Sequence, residues 1–328
     1  PRHSPRCGRV ARAPMRKRSY LFLGAGGVGG YYGALLHLAG HPVHWLVRSQ
    51  AEVWRARGLL VESGGQRWHI EHPSVYDSPD ALPSADVVVV AWKTTSNPHL
   101  AEVLPRVVQS PEIPVIMMQN GVGAEEDAAR VLGPNHPILA GLCFLCSHKV
   151  GPGHIRHLDY GMVTLASWSP TGVPIGPTPI AEQIAADLAS AGVEVSVSPD
   201  LVLSRWKKLV WNVPFSGLCV VLHTDTQQLV TDSATRQVAR ELMQEVQTGA
   251  RALGRPIPDD FLDYMFELTD RMTPYAPSMQ LDYEAGRPME IEAIYERPVA
   301  VARKHGAEMP RVDCLARLLR FMERHRAH

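Results

Sequence analysis

Residues 24–29 read Gly-Ala-Gly-Gly-Val-Gly, directly after the apolar run Ser19–Leu23 and at the start of a helical stretch, Gly29–Ala39, that Gly40 stops. The spacing is G-x-G-x-x-G, and its place between a predicted strand and a predicted helix gives it meaning. In that setting Gly24 makes the tight turn, Gly26 lets a pyrophosphate approach the backbone, and Gly29 allows helix and strand to pack closely. The helix then offers its unpaired N–H groups to the phosphates. A chain that opens this way is expected to continue as strands and helices in alternation, because parallel neighbours need crossover connections.

The first half keeps to that plan. His44–Val47 reads as the second strand, and Asp86–Trp92, with its four valines, as a central strand buried on both faces. Pro114–Met118 is another strand, followed by the Gln119-Asn120-Gly121 turn and a helix over Ala124–Leu132. His154–Leu158 and Met162–Ala166 flank Asp159-Tyr160-Gly161 and read as a hairpin. Ile180–Ala191 is helical and Val193–Val197 is the last strand. Beyond Asp200 the periodicity is helical: Leu203–Trp211, Asp232–Leu253, Asp259–Arg271, Ile291–His305 and Val312–Arg326. Val238, Leu242 and Val246 form one apolar stripe, and Leu315, Leu318, Leu319 and Met322 another. Pro214 is expected to stop regular continuation of the first of these helices. The expected fold class is therefore an α/β Rossmann-type domain, mostly parallel, plus an all-α domain. The expected boundaries are 1–18 for a disordered extension, 19–199 for the nucleotide-binding domain and 200–328 for the helical domain; 328 residues suit two domains.

Composition excludes several functions. Lys+Arg and Asp+Glu are both 33, which leaves no basic excess for nucleic acid or an anionic membrane. No apolar run approaches the length of a membrane span. The five cysteines (7, 143, 146, 219 and 314) are too few for a disulfide scaffold and point away from secretion. Residues 1–18 are rich in arginine, free of acids and without the apolar core of a signal peptide. Met15 is read as a natural start, with an arginine-rich transit peptide as the second reading. The expected location is the cytoplasm.

Dinucleotide type turns on the end of the second strand, Trp45-Leu46-Val47-Arg48-Ser49-Gln50. An NAD site usually places an acid there on the ribose 2′-hydroxyl. Here the acid is absent, and Arg48 can pair with a 2′-phosphate while Ser49 or Gln50 adds a hydrogen bond, which favours NADP(H). An arginine in so arginine-rich a chain is otherwise a solvated surface residue. Lys93 and Asn120 follow adjacent predicted strands, at the ends that face the ligand crevice in open α/β sheets; strand-capping polar turns are the plainer alternative. In Trp206-Lys207-Lys208-Leu209-Val210-Trp211-Asn212, Lys208 and Asn212 are four apart on one helix face. Apolar neighbours around Lys208 would lower its pKa and make it a better proton donor near neutrality. Taken alone, the same segment is more simply read as a solvated amphipathic helix. Ser278, after Pro277, is also a natural helix N-cap, and Glu290 or Glu292 could be first-turn acids.

Taken together, the glycine loop, Lys93, Gln119-Asn120-Gly121, the Trp-x-Lys-Leu-x-x-Asn run at 206–212, Ser278-Met-x-x-Asp282 and Glu290 occur in the order seen in ketopantoate reductases, which this chain resembles from about residue 19 to residue 318. The resemblance implies a fold like that of 6-phosphogluconate dehydrogenase and NADPH-dependent reduction of 2-dehydropantoate to (R)-pantoate in pantothenate synthesis. It implies Lys208 as general acid and Glu290 as the residue orienting the lysine and substrate. Asn120 and Lys93 would border nicotinamide and ribose, Ser278 would bind the substrate end, and Asn212 would contact substrate.

Ser216 and Thr226 stand where members of the family acting on ketopantoate commonly carry asparagines that help read the substrate. Glu296-Arg297 likewise replaces a small Asn-Gly turn. These departures keep three alternatives open: a reductase of another 2-keto acid, a β-hydroxyacid dehydrogenase, and a catalytically silent NADP(H) sensor. Cys143-Phe-Leu-Cys146, near His148, His154 and His157, invites a zinc site, but one C-x-x-C on a strand splits its thiols between faces and no metal is expected. Tyr264, Met265, Phe266 and Met272 are expected in the bundle core. Exposed helical stripes suggest a homodimer.

Overall fold

The structure, a computed structural model, describes residues 16–47 and 49–326. Its sheet is built on the valine run, which forms β6 (Val87–Val90) and sends alternate side chains to opposite faces. Val87 and Val89 join one apolar layer with Tyr20, Phe22 and Trp45. Val88 and Val90 join the other with Leu21, Leu23 and Leu104. All four are buried, as a strand covered by helices on both sides requires.

The strands around it are β1 (Tyr20–Leu23), β2 (Val43–Leu46), β3 (Leu59–Ser63), β4 (Gln66–Ile70), β5 (Ser74–Tyr76), β7 (Val115–Met117), β8 (Ile138–Gly151), β9 (His154–Ser167) and β10 (Val195–Ser198). They form one sheet in the order β4-β3-β9-β8-β7-β6-β1-β2-β5, with β10 beside β9. Pairing from β5 through β8 is parallel; β8 with β9 and β3 with β4 are antiparallel. The intervening helices are α1 (Gly27–Leu38), α2 (Ala51–Arg57), α3 (Leu100–Val107), α4 (Ala124–Leu132) and α5 (Pro179–Ser190). From Leu201 onward the described residues form only helices: α6 (Leu201–Leu222), α7 (Thr226–Thr231), α8 (Ser233–Ala252), α9 (Asp259–Arg271), α10 (Ser278–Glu284), a π turn at Glu292–Glu296, α11 (Arg297–Lys304) and α12 (Pro310–Arg324). A second apolar core lies among them, centred on Trp206, Phe215, Met243, Phe266 and Tyr295. The architecture is thus a Rossmann-type sheet layer followed by an all-α bundle.

Several local expectations are corrected. The two segments expected to be arms of a hairpin are one strand, β9, and β8 is the partner of both. Tyr160 and Gly161 have φ of 58° and 131°, and the register passes from Phe144–Met162 to Leu145–Tyr160, leaving Gly161 unpaired. The turn-forming residues therefore build a β-bulge. Likewise, α6 runs straight through Pro214. An interior proline costs about 3 kcal/mol. Each fully buried Val, Leu or Phe returns roughly 1.5–3 kcal/mol, and Val213, Phe215, Cys219 and Val220 are all fully buried there. Tyr295 Oη also donates to the Val213 carbonyl, at 3.0 Å. Ile291–His305 is divided into the π turn and α11, because Pro298 has no N–H for the Ile294 carbonyl. Val238, Leu318 and Tyr264, assigned to apolar stripes and core, are exposed, whereas Met265, Phe266 and Met272 are buried. Of the expected extension only residues 16–18 are described; Arg18 makes a 2.7 Å ion pair with Asp187 on α5. Met15 lies outside the described residues.

Candidate functional site

At the end of β1, Gly24 has φ +108°, and a Cβ there would stand 2.7 Å from the Trp92 nitrogen. A Cβ on Gly29 would stand 2.1 Å from the Gly24 carbonyl oxygen. Gly26 is different: its Cβ would meet nothing within 4 Å. The first and third glycines are thus demanded by the fold, and the second borders open space. The first bond into α1 runs from the Gly30 N–H to the Gly26 carbonyl at 2.8 Å, and the first turn carries no acid. The N–H groups of Gly27, Val28 and Gly29 precede it and face no competing carboxylate, so the turn fits a dinucleotide pyrophosphate. Arg48 lies outside the described residues. Gln50 is described, and its Oε1 accepts a 2.9 Å hydrogen bond from Lys149 Nζ on β8.

Lys93 and Asn120 follow β6 and β7. Their neighbour Gln119 ties the two strand ends together: its buried Nε2 donates to the Trp92 carbonyl at 3.0 Å and to Asn97 Oδ1 at 2.7 Å. Arg205 of α6 reaches the same place. Its buried guanidinium pairs with the equally buried Glu125 and donates to the carbonyls of Gln119 and, at 3.3 Å, Met117. A buried ion pair of this kind is tolerated because both terminal nitrogens also donate to carbonyls, leaving only Nε without a partner among the described residues. Sequence reasoning singled out neither Gln119 nor Arg205 as holding the site. Their polarity is visible in the sequence, but nothing local indicates their burial.

The helix α6 presents Lys208, Asn212 and Ser216 at four-residue intervals, which puts them on one face. Asn212 and Ser216 are buried, and Asn212 Nδ2 has no hydrogen-bond partner among the described residues. Lys208 is half-buried, with its ammonium 5.3 Å from the centre of the Phe144 ring. Burial pushes its pKa down to about 8, Cys143 and Cys146 oppose the shift, and Arg205 adds to it. Partial burial against Phe144 sets this lysine apart from a fully solvated helix face. Phe144 was not foreseen; it is brought to Lys208 by β8, beside the bulge.

The acids come from the far end of the chain. Glu290 and Asp282 are buried, and both face Lys93, whose Nζ lies 2.9 Å from Asp282 Oδ2 and 3.4 Å from Glu290 Oε2. Thr94 completes the cluster, donating its N–H and hydroxyl to Glu290 Oε1 at 2.9 and 3.0 Å. Burial pulls the Lys93 pKa down, but the two carboxylates outweigh it and hold the ammonium above its ordinary value. Glu290 is therefore partnered by Lys93 and Thr94, and Lys208 is not among its hydrogen-bond or ion-pair partners. The elements that carry the two clusters pack together, with α10 and the π turn both lying against α6. Ser278 is the first residue of α10 rather than its cap; Pro277 takes the cap position and no side-chain cap bond is made. Thr226 is buried against Met272, with its hydroxyl 3.9 Å from the sulfur. No group of three or more metal-ligating side chains is found among the described residues.

The chain is matched by two family profiles, "Ketopantoate reductase PanE/ApbA" over residues 20–170 and "Ketopantoate reductase PanE/ApbA C terminal" over residues 200–323. A 2-dehydropantoate 2-reductase of Nostoc sp. is 44% identical over 309 residues, covering 94% of this chain and 96% of the relative. Among solved structures, a 2-dehydropantoate 2-reductase from Geobacter metallireducens superposes with a TM-score of 0.87 at 38% identity, over 92% of this chain and 99% of that one. The enzyme of the same name from Methylococcus capsulatus gives 0.83 at 28% identity, over 94% and 98%.

Proposed function

The chain belongs to the ketopantoate reductase family, and from that premise we propose that it reduces 2-dehydropantoate to (R)-pantoate with NADPH, using Lys208 as the proton donor. The observation that carries the assignment of Lys208 is its half-buried ammonium, lowered to a pKa of about 8, one helical turn from the unpartnered amide of Asn212.

Gly24, Gly26 and Gly29 would shape the backbone that holds NADPH and Lys93 and Asn120 would border its nicotinamide end; the cofactor would supply the hydride taken up by the keto carbon. As that carbon is reduced, the C=O π electrons move to oxygen and leave an alkoxide. Lys208 stabilises the developing charge and gives up a proton to form the hydroxyl, leaving a neutral amine that solvent reprotonates. A pKa near 8 suits the task, because the group is mostly protonated at neutrality yet parts with its proton more readily than an ordinary lysine.

Asn212 Nδ2 is a buried donor awaiting an oxygen, and a substrate carbonyl or hydroxyl provides one. Ser216, one turn further on, and Ser278 at the start of α10 are assigned to the rest of the substrate. Glu290 acts in this scheme through Lys93 and Thr94, fixing the strand end beside the nicotinamide position. The same proposal takes residues 19–199 as the nucleotide-binding domain and 200–328 as the substrate domain.

The test is NADPH oxidation with ketopantoate, beside Lys208→Ala and a panel of 2-keto acids. Turnover that collapses in the variant supports both substrate and acid. NADPH binding with no turnover on ketopantoate rejects the substrate.

No helix among the described residues is long and apolar enough to cross a membrane. Cytoplasmic location is supported by the free thiols of Cys143, Cys146, Cys219 and Cys314. A homodimer is supported by the exposed Leu318 and Phe321 on α12, and light scattering on the purified protein decides it.

A further inference from the structure

The long strand β8 passes directly across the start of α1. A Cβ on Gly27 would lie 2.6 Å from the Ser147 carbonyl oxygen and 3.3 Å from the Cα of His148, and Ser147 Oγ donates to the Gly27 carbonyl at 3.3 Å. The next residue, Lys149, continues toward the loop after β2, where its Nζ donates to Gln50 Oε1 at 2.9 Å. One strand thus spans from the pyrophosphate turn to the loop that meets the adenosine ribose in a Rossmann site. Lys149 is exposed, and among the described residues no carboxylate lies within ion-pair distance of it. The charged group that most affects it is another cation, Arg287, itself committed to Asp282 at 2.9 Å. An exposed ammonium with no acid partner among the described residues, held by a neutral amide on the loop after β2, is free to pair with an anion there.

We propose that Lys149 is a specificity-determining residue of the cofactor site, its ammonium pairing with the 2′-phosphate of NADPH from β8 while Gln50 holds it in position. The assignment rests on the reading of the chain as an NADPH-dependent reductase. A 2′-phosphate at the loop after β2 lies within the reach of a group already bonded to Gln50. NADH, with a hydroxyl there, leaves the ammonium with only the neutral amide. Charge-assisted bonds to phosphate oxygens are the stronger class, so the contact discriminates between the two cofactors.

The experiment is equilibrium titration of the full-length protein with NADPH and with NADH, followed by nicotinamide fluorescence, for wild type, Lys149→Gln and Lys149→Arg. Wild type is expected to prefer NADPH. Lys149→Gln is expected to bind NADPH about tenfold more weakly while NADH affinity changes less than about twofold, and Lys149→Arg to keep most of the preference. The wild-type preference is also expected to shrink as salt is raised. Unchanged NADPH affinity in Lys149→Gln, or parallel loss of both cofactors, overturns the assignment. A wild type that binds the two equally overturns it together with the NADPH reading, and shows that before any variant is made.

Discussion

Glu290 and Lys93 stand 3.4 Å apart from carboxylate oxygen to ammonium, one from the helical half and the other from the end of a strand in the sheet. Thr94 and Glu290 are 196 residues apart in the chain, so the contact is a product of the fold alone. With Asp282 at 2.9 Å, Lys93 is shared between two buried acids and keeps its proton despite burial. The acids fix the ammonium in position and leave no free base at this point of the site. Glu290→Gln keeps the side-chain shape and removes the charge, so Lys93 retains Asp282 alone. The expected result is a fall in kcat of about 100-fold with folding preserved. In a double-mutant cycle with Lys93→Met, the two losses should fail to add, by more than about 1 kcal/mol. Additive losses would mean that the two residues act separately.

The proton-donor role proposed for Lys208 carries a pH dependence. A general acid must be protonated, so on that proposal reduction should be level below about pH 8 and fall about tenfold per pH unit above it. Lys208→Ala should lower kcat by roughly 10²–10⁴-fold and abolish that limb. Stability carries the same signature with a definite sign. The folded value of about 8 lies below the usual unfolded value of about 10.4, so the unfolded chain binds more protons between them. Wild type should therefore gain thermal stability relative to Lys208→Met as pH rises through that window. Melting curves of the two proteins from pH 7 to 11 check it; parallel curves would show the ammonium to be solvated.

The unpartnered amide of Asn212 makes a separate claim. Its Nδ2 is buried with no acceptor among the described residues, and a buried donor left unsatisfied costs roughly 1–3 kcal/mol. Asn212→Leu should then leave the melting temperature of the free protein unchanged or higher, while KM for ketopantoate rises about tenfold or more. A variant that melts several degrees lower would show the amide to be structural.

The parts of this site that were legible in the sequence are those carried by local spacing. Gly24, Gly26 and Gly29 are one turn, and Lys208 and Asn212 are one helical interval, so backbone geometry alone relates them. The cluster of Lys93, Asp282 and Glu290 has no local signature, and only the resemblance to a family put its members on one page. Residues 160 and 161 misled the strand reading because positive φ serves a bulge as well as a turn. The bulge lies opposite Phe144 and Leu145, and Phe144 is the ring that meets Lys208. Pro214 misled the helix reading because burial of its neighbours outweighs one lost hydrogen bond. Lys149 was invisible for a plainer reason: its partner Gln50 is 99 residues away.

The glycines themselves separate fold from function. Gly29→Ala places a methyl 2.1 Å from the Gly24 carbonyl oxygen, a backbone atom that cannot step aside without shifting the whole turn. Overpacking of this kind typically costs about 1–3 kcal/mol, so the melting temperature should fall by a few degrees whatever ligand is present. Gly26→Ala meets no protein atom within 4 Å, and φ at this position, −85°, is one that alanine adopts freely. The ligand-free protein should accordingly melt within about 1 °C of wild type. The methyl nevertheless occupies the space where a pyrophosphate would approach the N–H groups of the first turn of α1, and NADPH affinity should drop by about 100-fold or more. Thermal shift with and without NADPH reads both quantities in one experiment. Normal NADPH binding by Gly26→Ala would remove the pyrophosphate from this turn, even if Gly29→Ala behaves as the packing requires.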